Sequence, residues 1–333
     1  MNAKKALIAA AAGAGALSLM LAVIPTASAD PDGPPQYRDL AGVGSDTTMD
    51  LVQALSQVVT INSVKVIGSY NATFANDPAT FQTKADAKCT FTRGAANGSS
   101  GGVKLLDAST KAGDGCIQFA RSSSAKSSSS PTGYTWIPFA KDALTFAVRS
   151  DGSVTRSLSA LELVSIYKCE NPSIVPVLPQ LLSGTRSEWL KKMGITEDQI
   201  TAGTYPCLKP KSAGGTGAEY EQEHDGRSLK ANEIQPYSIA VWQAQASGAA
   251  PDRRGMTVLG VLDGQAPTLL NQSSSYTRDV FNVIPTTKVT DTASKEYQVF
   301  VGKDSLVCKQ SAVIAQQGFG ALATTCGDTS SRS

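Results

Sequence analysis

The sequence feature that most constrains the fold is a short glycine- and serine-rich stretch that leads directly into an apolar helical pattern. It reads Gly98-Ser99-Ser100-Gly101-Gly102, and Leu105 and Leu106 follow it. Glycine lets the backbone adopt positive φ and approach a ligand closely, while serine offers hydroxyl groups. At a helix start, such a loop directs unpaired N–H groups and the positive end of the helix dipole at one point, which favours an anion. A turn of the same composition without a ligand is the alternative.

Two other turns have similar composition and position. Gly44–Thr48 precedes a helical pattern that begins at Met49, and Ser183–Arg186 precedes a helix for which Thr185 and Glu188 form a capping box. Strands alternate with helices along the chain, which predicts an α/β fold with parallel sheets. Ligands of open α/β sheets bind at the carboxyl ends of the strands, so we expect the three turns to converge there.

Apolar periodicity predicts the other elements. Strands are predicted from Leu40 and over 64–70, 117–120, 134–139, 143–148, 280–284 and 297–301, and helices over 49–59, 159–167, 185–193 and 311–317, with a further helix through 103–106. The strand over 143–148 is continuous enough to be a buried parallel strand. Another glycine-rich run, Gly214–Gly217, precedes Glu219–Glu223, and because this acidic start would repel an anion we predict a loop there.

The N-terminus has the pattern of a secretory signal peptide. Lys4 and Lys5 precede an apolar run through Ile24, and Ala27-Ser28-Ala29 has the form that signal peptidase cleaves. We therefore expect residues 1–29 to be removed and the product to be secreted, with no cysteine at the cleavage site to carry a lipid anchor. Removal of Lys4 and Lys5 lowers the number of basic residues from 30 to 28, which equals the number of acidic residues. The mature chain then has no net charge that would favour binding to nucleic acid or to a membrane.

The cysteine content predicts disulfides rather than a metal site. The six cysteines are even in number and belong to an exported chain. Their spacing suggests sequential pairs, Cys89 with Cys116, Cys169 with Cys207, and Cys308 with Cys326, among about 15 connectivities that six cysteines allow. No C-x-x-C motif occurs and the chain has a single histidine, so we expect neither a zinc site nor a cofactor.

The three turns resemble those of a known family, the phosphate-binding proteins of ABC uptake systems, which are type 2 periplasmic binding proteins. Gly98–Lys104 is similar to that family's phosphate loop and its helix, Gly42–Thr47 to its first turn, and Ser183–Thr185 to its third phosphate loop. The resemblance implies a two-lobed fold, each lobe a mainly parallel sheet flanked by helices. It places lobe 1 at 30–145 and 285–330 and lobe 2 at 146–284, with crossover strands near 139–148 and 280–285.

The resemblance also implies a ligand and its binding residues. The ligand is a small oxyanion, phosphate being favoured, and an ABC permease is a candidate partner of a protein that we expect to be monomeric. The direct donors implied are Thr47, Ser99, Ser100, Ser123, Ser183, Gly184 and Thr185. No catalytic residue, metal or cofactor is implied.

Two departures from the family bear on the ligand. The family has an aspartate that accepts the proton of hydrogen phosphate and an arginine that supplies charge, and the aligned residues here are Ser123 and Pro179. A site made only of donors can also hold sulfate, so both anions stay open. Arg121 and Arg186 are candidate charge partners, as is Arg93, because each lies beside a predicted binding turn.

Two other functions are compatible with the sequence. Gly98–Gly102 also satisfies the G-x-S-x-G pattern of a secreted serine hydrolase, with Ser100 as nucleophile and His224 as the available base. The second alternative keeps the binding-protein fold without transport, as an extracellular scavenger or sensor.

Overall fold

A computed structural model describes residues 37–71, 78–268 and 276–330 of the 333-residue chain. The predicted signal peptide, residues 1–29, lies outside the described residues. The α-helices of the described part are α1 Met49–Val58, α2 Arg93–Ala96, α3 Gly98–Ala112, α4 Ala160–Tyr167, α5 Gly184–Met193, α6 Glu197–Thr201, α7 Ile239–Ser247, α8 Lys295–Phe300 and α9 Ser311–Gln316. Within the same ranges, no helix is long and apolar enough to span a membrane.

The strands of the described part, which the helices flank, are β1 Leu40–Gly44, β2 Thr60–Ile61, β3 Val64–Lys65, β4 Ile67–Ser69, β5 Thr80–Gln82, β6 Thr90–Thr92, β7 Phe119–Ser122, β8 Tyr134–Arg149, β9 Ser157–Leu158, β10 Val175–Pro176, β11 Glu233–Ser238, β12 Thr257–Leu259, β13 Val261–Leu262, β14 Thr277–Pro285 and β15 Gly320–Ala321. This mixture of helices and strands confirms the predicted α/β class.

The main sheet has the order β10-β11-β8-β14-β7-β1-β4, and β12 and β15 also pair with β8. Pairing is parallel towards both ends, where β1 lies between β4 and β7 and β10 pairs with β11. The two long strands in the centre, β8 and β14, run antiparallel to each other. The first part of β8 pairs with β14 and its last residues pair with β11 and β12, so β8 connects the two parallel regions. The segment 143–148 is therefore the second half of an antiparallel strand, not a separate parallel one.

Two main hydrophobic cores occupy different parts of the sheet. The terminal core includes Leu40, Phe119 and Ile284 and draws on both ends of the chain. The middle core includes Phe146 and Trp189. On β8, Ala140 belongs to the terminal core and Leu144 to the middle core. At the start of β14, Tyr276 belongs to the middle core and Val280 to the terminal core. The predicted lobe boundaries stay predictions; near the second of them, Val280 and Ile284 pack in the terminal core, and Phe281 and Val283 pack in a third cluster with Trp136.

The glycine-rich stretch is the first turn of α3 rather than a loop before it. Its glycines allow α3 to pack directly on β1. A Cβ atom added to Gly102 would lie 2.5 Å from the Gly44 Cα and 2.8 Å from the Val43 carbonyl oxygen, both of which are backbone atoms. The glycine at this position is therefore required by helix–strand packing, whether or not a ligand binds.

We expect Gly102→Ala to lower the free energy of unfolding by ~1–3 kcal/mol, because rigid backbone atoms leave no space for the methyl group. Gly94→Ala in α2 is the matched control, since a Cβ atom there meets no atom of the described residues within 4 Å. Alanine forms helix more readily than glycine, so the control should be neutral or stabilising by up to about 1 kcal/mol. Urea unfolding of the two variants measures both values, and equal effects would contradict the packing argument.

Several local predictions can be compared with the structure directly. The capping box of Ser159 and Glu162 is present at α4, and α9 ends just before Gly318. The N-cap of α5 is Ser183, two residues before Thr185, the N-cap of the predicted capping box. The predicted strand 297–301 is wrong, because these residues fall largely in α8, which Ser294 caps.

The three predicted disulfides are confirmed. Cys89 bonds to Cys116, Cys169 to Cys207 and Cys308 to Cys326, with Cα–Cα separations of 5.2, 5.7 and 5.8 Å. Each joins segments less than 40 residues apart, so each stabilises one local region.

Candidate functional site

Two of the predicted turns meet at a pair of threonine hydroxyl groups. Thr47 lies in the turn between β1 and α1, and Thr185 lies in the first turn of α5. Both are buried, and their Oγ1 atoms are 3.2 Å apart although 138 residues separate them in the sequence. Since β1 is one of the parallel strands, this contact lies beyond a carboxyl end, where open α/β sheets bind ligands.

The remaining turn joins the same cluster through α3. The Ser99 Oγ lies 3.4 Å from the Ser123 Oγ and accepts a hydrogen bond from the Ser123 backbone N–H at 3.0 Å. Gly184 packs on this pair so closely that a Cβ atom would overlap both hydroxyl groups. Ser183 donates its hydroxyl hydrogen to the carboxylate of Glu223. Six predicted ligand residues thus lie in one buried cluster: Thr47, Ser99, Ser123, Ser183, Gly184 and Thr185.

Ser100, the seventh predicted ligand residue, lies apart from this cluster. It is exposed, and its backbone N–H donates to the Leu182 carbonyl oxygen at 3.1 Å. His224, its proposed partner in a hydrolase, is buried and contacts Thr47 instead, with 3.0 Å between its Nε2 and the Thr47 Oγ1. Both residues belong to the described part of the chain, where no hydrogen bond joins them.

A buried arginine supplies positive charge to the cluster. The Arg278 Nη2 donates to the Thr185 Oγ1 at 2.9 Å and to the Thr47 Oγ1 at 3.3 Å. Its Nε and Nη2 also donate to the Asp142 Oδ2, at 3.0 and 2.9 Å. Its Nη1 is buried and has no acceptor among the described residues. Because an unpaired buried donor is costly, this atom indicates a place where a ligand or a water molecule binds.

Two buried acidic residues lie on another side of the cluster. Glu223 accepts hydrogen bonds from the hydroxyls of Ser183 and Thr47, the latter at 3.4 Å. Asp46 accepts one from the Gln180 Nε2 at 3.1 Å. Burial, followed by repulsion from Glu223, raises the pKa of Asp46 well above its ordinary value even though Arg121 opposes the shift. Asp46 therefore retains its proton more readily than a surface aspartate.

The predicted charge partners have their N–H groups taken up by other parts of the protein. Arg121 donates to the carbonyl oxygens of Gly42, Gly44, Ser45 and Tyr70 and to the Ser69 hydroxyl, at 2.9–3.2 Å. Arg186 binds the Glu197 carboxylate at 2.6 and 2.8 Å and the Pro179 carbonyl oxygen at 2.9 Å. The Arg93 Nε donates to the Pro78 carbonyl oxygen. Arg278 is thus the arginine that contacts the threonine hydroxyls of the cluster, whereas Arg121 and Arg186 donate to the groups named above.

Sequence reasoning missed Arg278 and Glu223 for different reasons. Arg278 lies in a strand and follows no glycine-rich turn, so no local pattern marks it. Glu223 ends the acidic run that was set aside as unfavourable for an anion. The signal that could have found Glu223 was the missing family aspartate, since a site that needs an acceptor must take it from elsewhere in the chain.

In this chain, helix starts and the ends of parallel strands converge on buried hydroxyls and a buried guanidinium. This arrangement is typical of α/β proteins that bind small polar ligands. The chain belongs to the family described as the PBP superfamily domain, whose model matches residues 35–301. This confirms the resemblance to periplasmic binding proteins at the level of the superfamily.

Solved structures agree on the fold. An ABC-type phosphate transport receptor from Vibrio cholerae is 15% identical, with a TM-score of 0.51 over 85% of this chain and 100% of that one. A protein from Clostridium perfringens assigned as a phosphate ABC transporter substrate-binding protein, with phosphate bound, is 14% identical, with a TM-score of 0.52 over 85% and 99% of the two chains. A comparison with curated protein sequences found no match.

Proposed function

We propose that this protein is a secreted solute-binding protein that captures a small oxyanion, with phosphate as the favoured ligand. The observation that carries the proposal is the buried guanidinium of Arg278, which contacts the two central hydroxyls through Nη2, while its Nη1 has no acceptor in the described part of the chain. Guanidinium and hydroxyl groups arranged around one point are the donors that oxyanions require, and the hydrogen bonds are stronger when the ligand is charged.

The position of this donor set fits capture between two lobes. Thr47 precedes α1, which packs in the terminal core, whereas Thr185 belongs to α5, which packs in the middle core. Asp142 and Arg278 lie on β8 and β14, where the chain passes from one core to the other. A ligand held by all of these groups would connect both cores at the crossover strands, which favours hinge closure on binding.

Glu223 favours phosphate over sulfate. Hydrogen phosphate carries a proton that it can donate to a buried carboxylate, whereas sulfate has none and would place two negative groups together. Glu223 thereby provides the acceptor that the family has at the position of Ser123. The phosphate transport proteins that share the fold suggest an ABC permease as a further partner.

The geometry gives the hydrolase less support. A catalytic histidine must reach the nucleophile, but Ser100 is exposed while the His224 Nε2 contacts two threonines. Burial, with repulsion from Arg278, also lowers the pKa of His224 to about 3, so the ring is a weak base at neutral pH.

Calorimetric titration of the mature protein with phosphate, sulfate and glucose tests the proposal. We expect phosphate to bind most tightly and glucose not to bind. Ser99→Ala and Thr185→Ala should each weaken phosphate binding about 10- to 100-fold, since a hydrogen bond to a charged ligand contributes ~1.5–3 kcal/mol. Ser128→Ala, in the exposed serine-rich loop, is the control and should bind as the unaltered protein does. Binding of no oxyanion, or equal binding by all three variants, would contradict the proposal.

A further inference from the structure

The single histidine of the chain is held in an unusual and well-anchored backbone conformation. His224 is 2% exposed and has a φ of 60°, in the left-handed region that few residues other than glycine adopt. Its carbonyl oxygen accepts hydrogen bonds from the Tyr237 hydroxyl at 2.7 Å and from the Gln245 Nε2 at 3.0 Å. Such strain persists where the surrounding structure fixes it, and it is often found at functional sites.

The hydrogen bonds of the ring determine which nitrogen carries the proton. The backbone N–H of Ser238 lies 3.3 Å from the His224 Nδ1, and a backbone N–H can only donate. Nδ1 is therefore an acceptor, and the proton of the neutral ring lies on Nε2. Burial has the largest effect on the pKa of the His224 ring and lowers it. The charges of Arg278 and Arg253 lower the pKa further and that of Asp142 raises it, so the ring stays neutral.

The protonated Nε2 faces the two central hydroxyls. It lies 3.0 Å from the Thr47 Oγ1 and 3.4 Å from the Thr185 Oγ1. The Arg278 Nη2 also lies within hydrogen-bond distance of both oxygen atoms. The Nε2 carries one hydrogen, and the Nη2 has one left after it donates to Asp142, so the shorter contacts pair Nε2 with the Thr47 Oγ1 and Nη2 with the Thr185 Oγ1. Each threonine oxygen then accepts one hydrogen bond, and its own hydrogen is directed elsewhere; that of Thr47 reaches the Glu223 carboxylate at 3.4 Å.

We propose that His224 is a positioning residue that, through its Nε2–H tautomer, keeps the Thr47 Oγ1 an acceptor and so directs the Thr47 hydroxyl hydrogen away from the ring, towards Glu223 in the free protein and towards a ligand oxygen when an anion is bound. This inference rests on the proposed function, because it concerns the orientation of an oxyanion in the same cluster. The threonine side of the site then accepts only unprotonated ligand oxygens. The protonated oxygen of hydrogen phosphate must face Glu223, the acceptor on the other side.

Because the chain has one histidine, labelling with ¹⁵N-histidine gives the spectrum of one imidazole ring. We expect the nitrogen resonances of the Nε2–H tautomer from pH 8 to pH 5, and a shift of the Nε2 resonance when inorganic phosphate is added. A ring protonated on Nδ1, an average of both tautomers, or titration near pH 6.5 would overturn the inference. This measurement on the free protein does not depend on whether phosphate binds.

Two variants test the effect on binding. His224→Leu removes the donor and should weaken phosphate binding at least about tenfold, whereas His224→Gln can place an amide N–H near the same hydroxyls and should recover most of the affinity. Thermal unfolding shows whether each variant is folded. If His224→Leu does not fold, the ¹⁵N spectrum of the unaltered protein still tests the inference. Unchanged affinity in folded His224→Leu would overturn the inference, and so would equal losses in two folded variants. If the unaltered protein binds neither phosphate nor sulfate, the proposed function fails instead, and the spectrum still tests the tautomer.

Discussion

Replacing Arg278 with methionine is expected to weaken phosphate binding at least about 100-fold and to lower the free energy of unfolding by ~3–5 kcal/mol. The loss of binding follows from removing the buried guanidinium, which faces both threonine hydroxyls and whose Nη1 has no acceptor among residues 37–71, 78–268 and 276–330. The loss of stability follows because the carboxyl group of Asp142, fully buried, would lose its ion-pair partner. Calorimetric titration and urea unfolding measure the two effects separately.

A second substitution distinguishes the two effects of Arg278. In Arg278→Met combined with Asp142→Asn, no buried carboxylate is left unpaired, so most of the lost stability should return while phosphate binding stays weak. Arg149→Met is the control, because Arg149 forms a more exposed pair with Asp151, and the loss of an exposed ion pair should hardly change stability. Recovery of phosphate affinity in the double variant would show that Arg278 acts only through the fold.

Predictions from the sequence succeeded where the signal was local. The three turns were recognised because each combines glycine, serine or threonine with the start of an apolar helical pattern, and the described structure brings their hydroxyls together. The cysteine pairs were also predicted correctly, since each joins segments close in the sequence. By contrast, the strand predicted at 297–301 is largely α8, because a short apolar run does not distinguish strand from helix and the Ser294 cap was overlooked.

The charges of the site could not be predicted in the same way. Arg121 lies directly beside a binding turn, yet its guanidinium folds back onto the carbonyl oxygens of that turn. Arg278 is remote from the turns in sequence and reaches them only because β14 pairs with β8 across the centre of the sheet. Which arginine faces a ligand therefore depends on side-chain direction and strand pairing, neither of which a local pattern contains.

Glu223→Gln is expected to reverse the preference between phosphate and sulfate. The glutamine amide can donate where the carboxylate could only accept, so sulfate should bind more tightly than before. Phosphate loses an acceptor for its proton, and one hydrogen bond involving a charged group corresponds to ~1.5–3 kcal/mol, or about 10- to 100-fold in affinity. The ratio of the phosphate and sulfate dissociation constants should thus change by more than about 100-fold, as measured by calorimetry with each anion at the same pH.

Glu221→Gln is the matched control for this prediction. Glu221 lies two residues earlier in the same segment and is only partly buried, so its substitution removes the same charge without altering the cluster. If both variants shift the two affinities equally, the effect is one of net charge and Glu223 has no direct contact with the ligand. If only Glu223→Gln reverses the preference, the discrimination comes from one buried acceptor, in a segment where the local sequence argued against an anion.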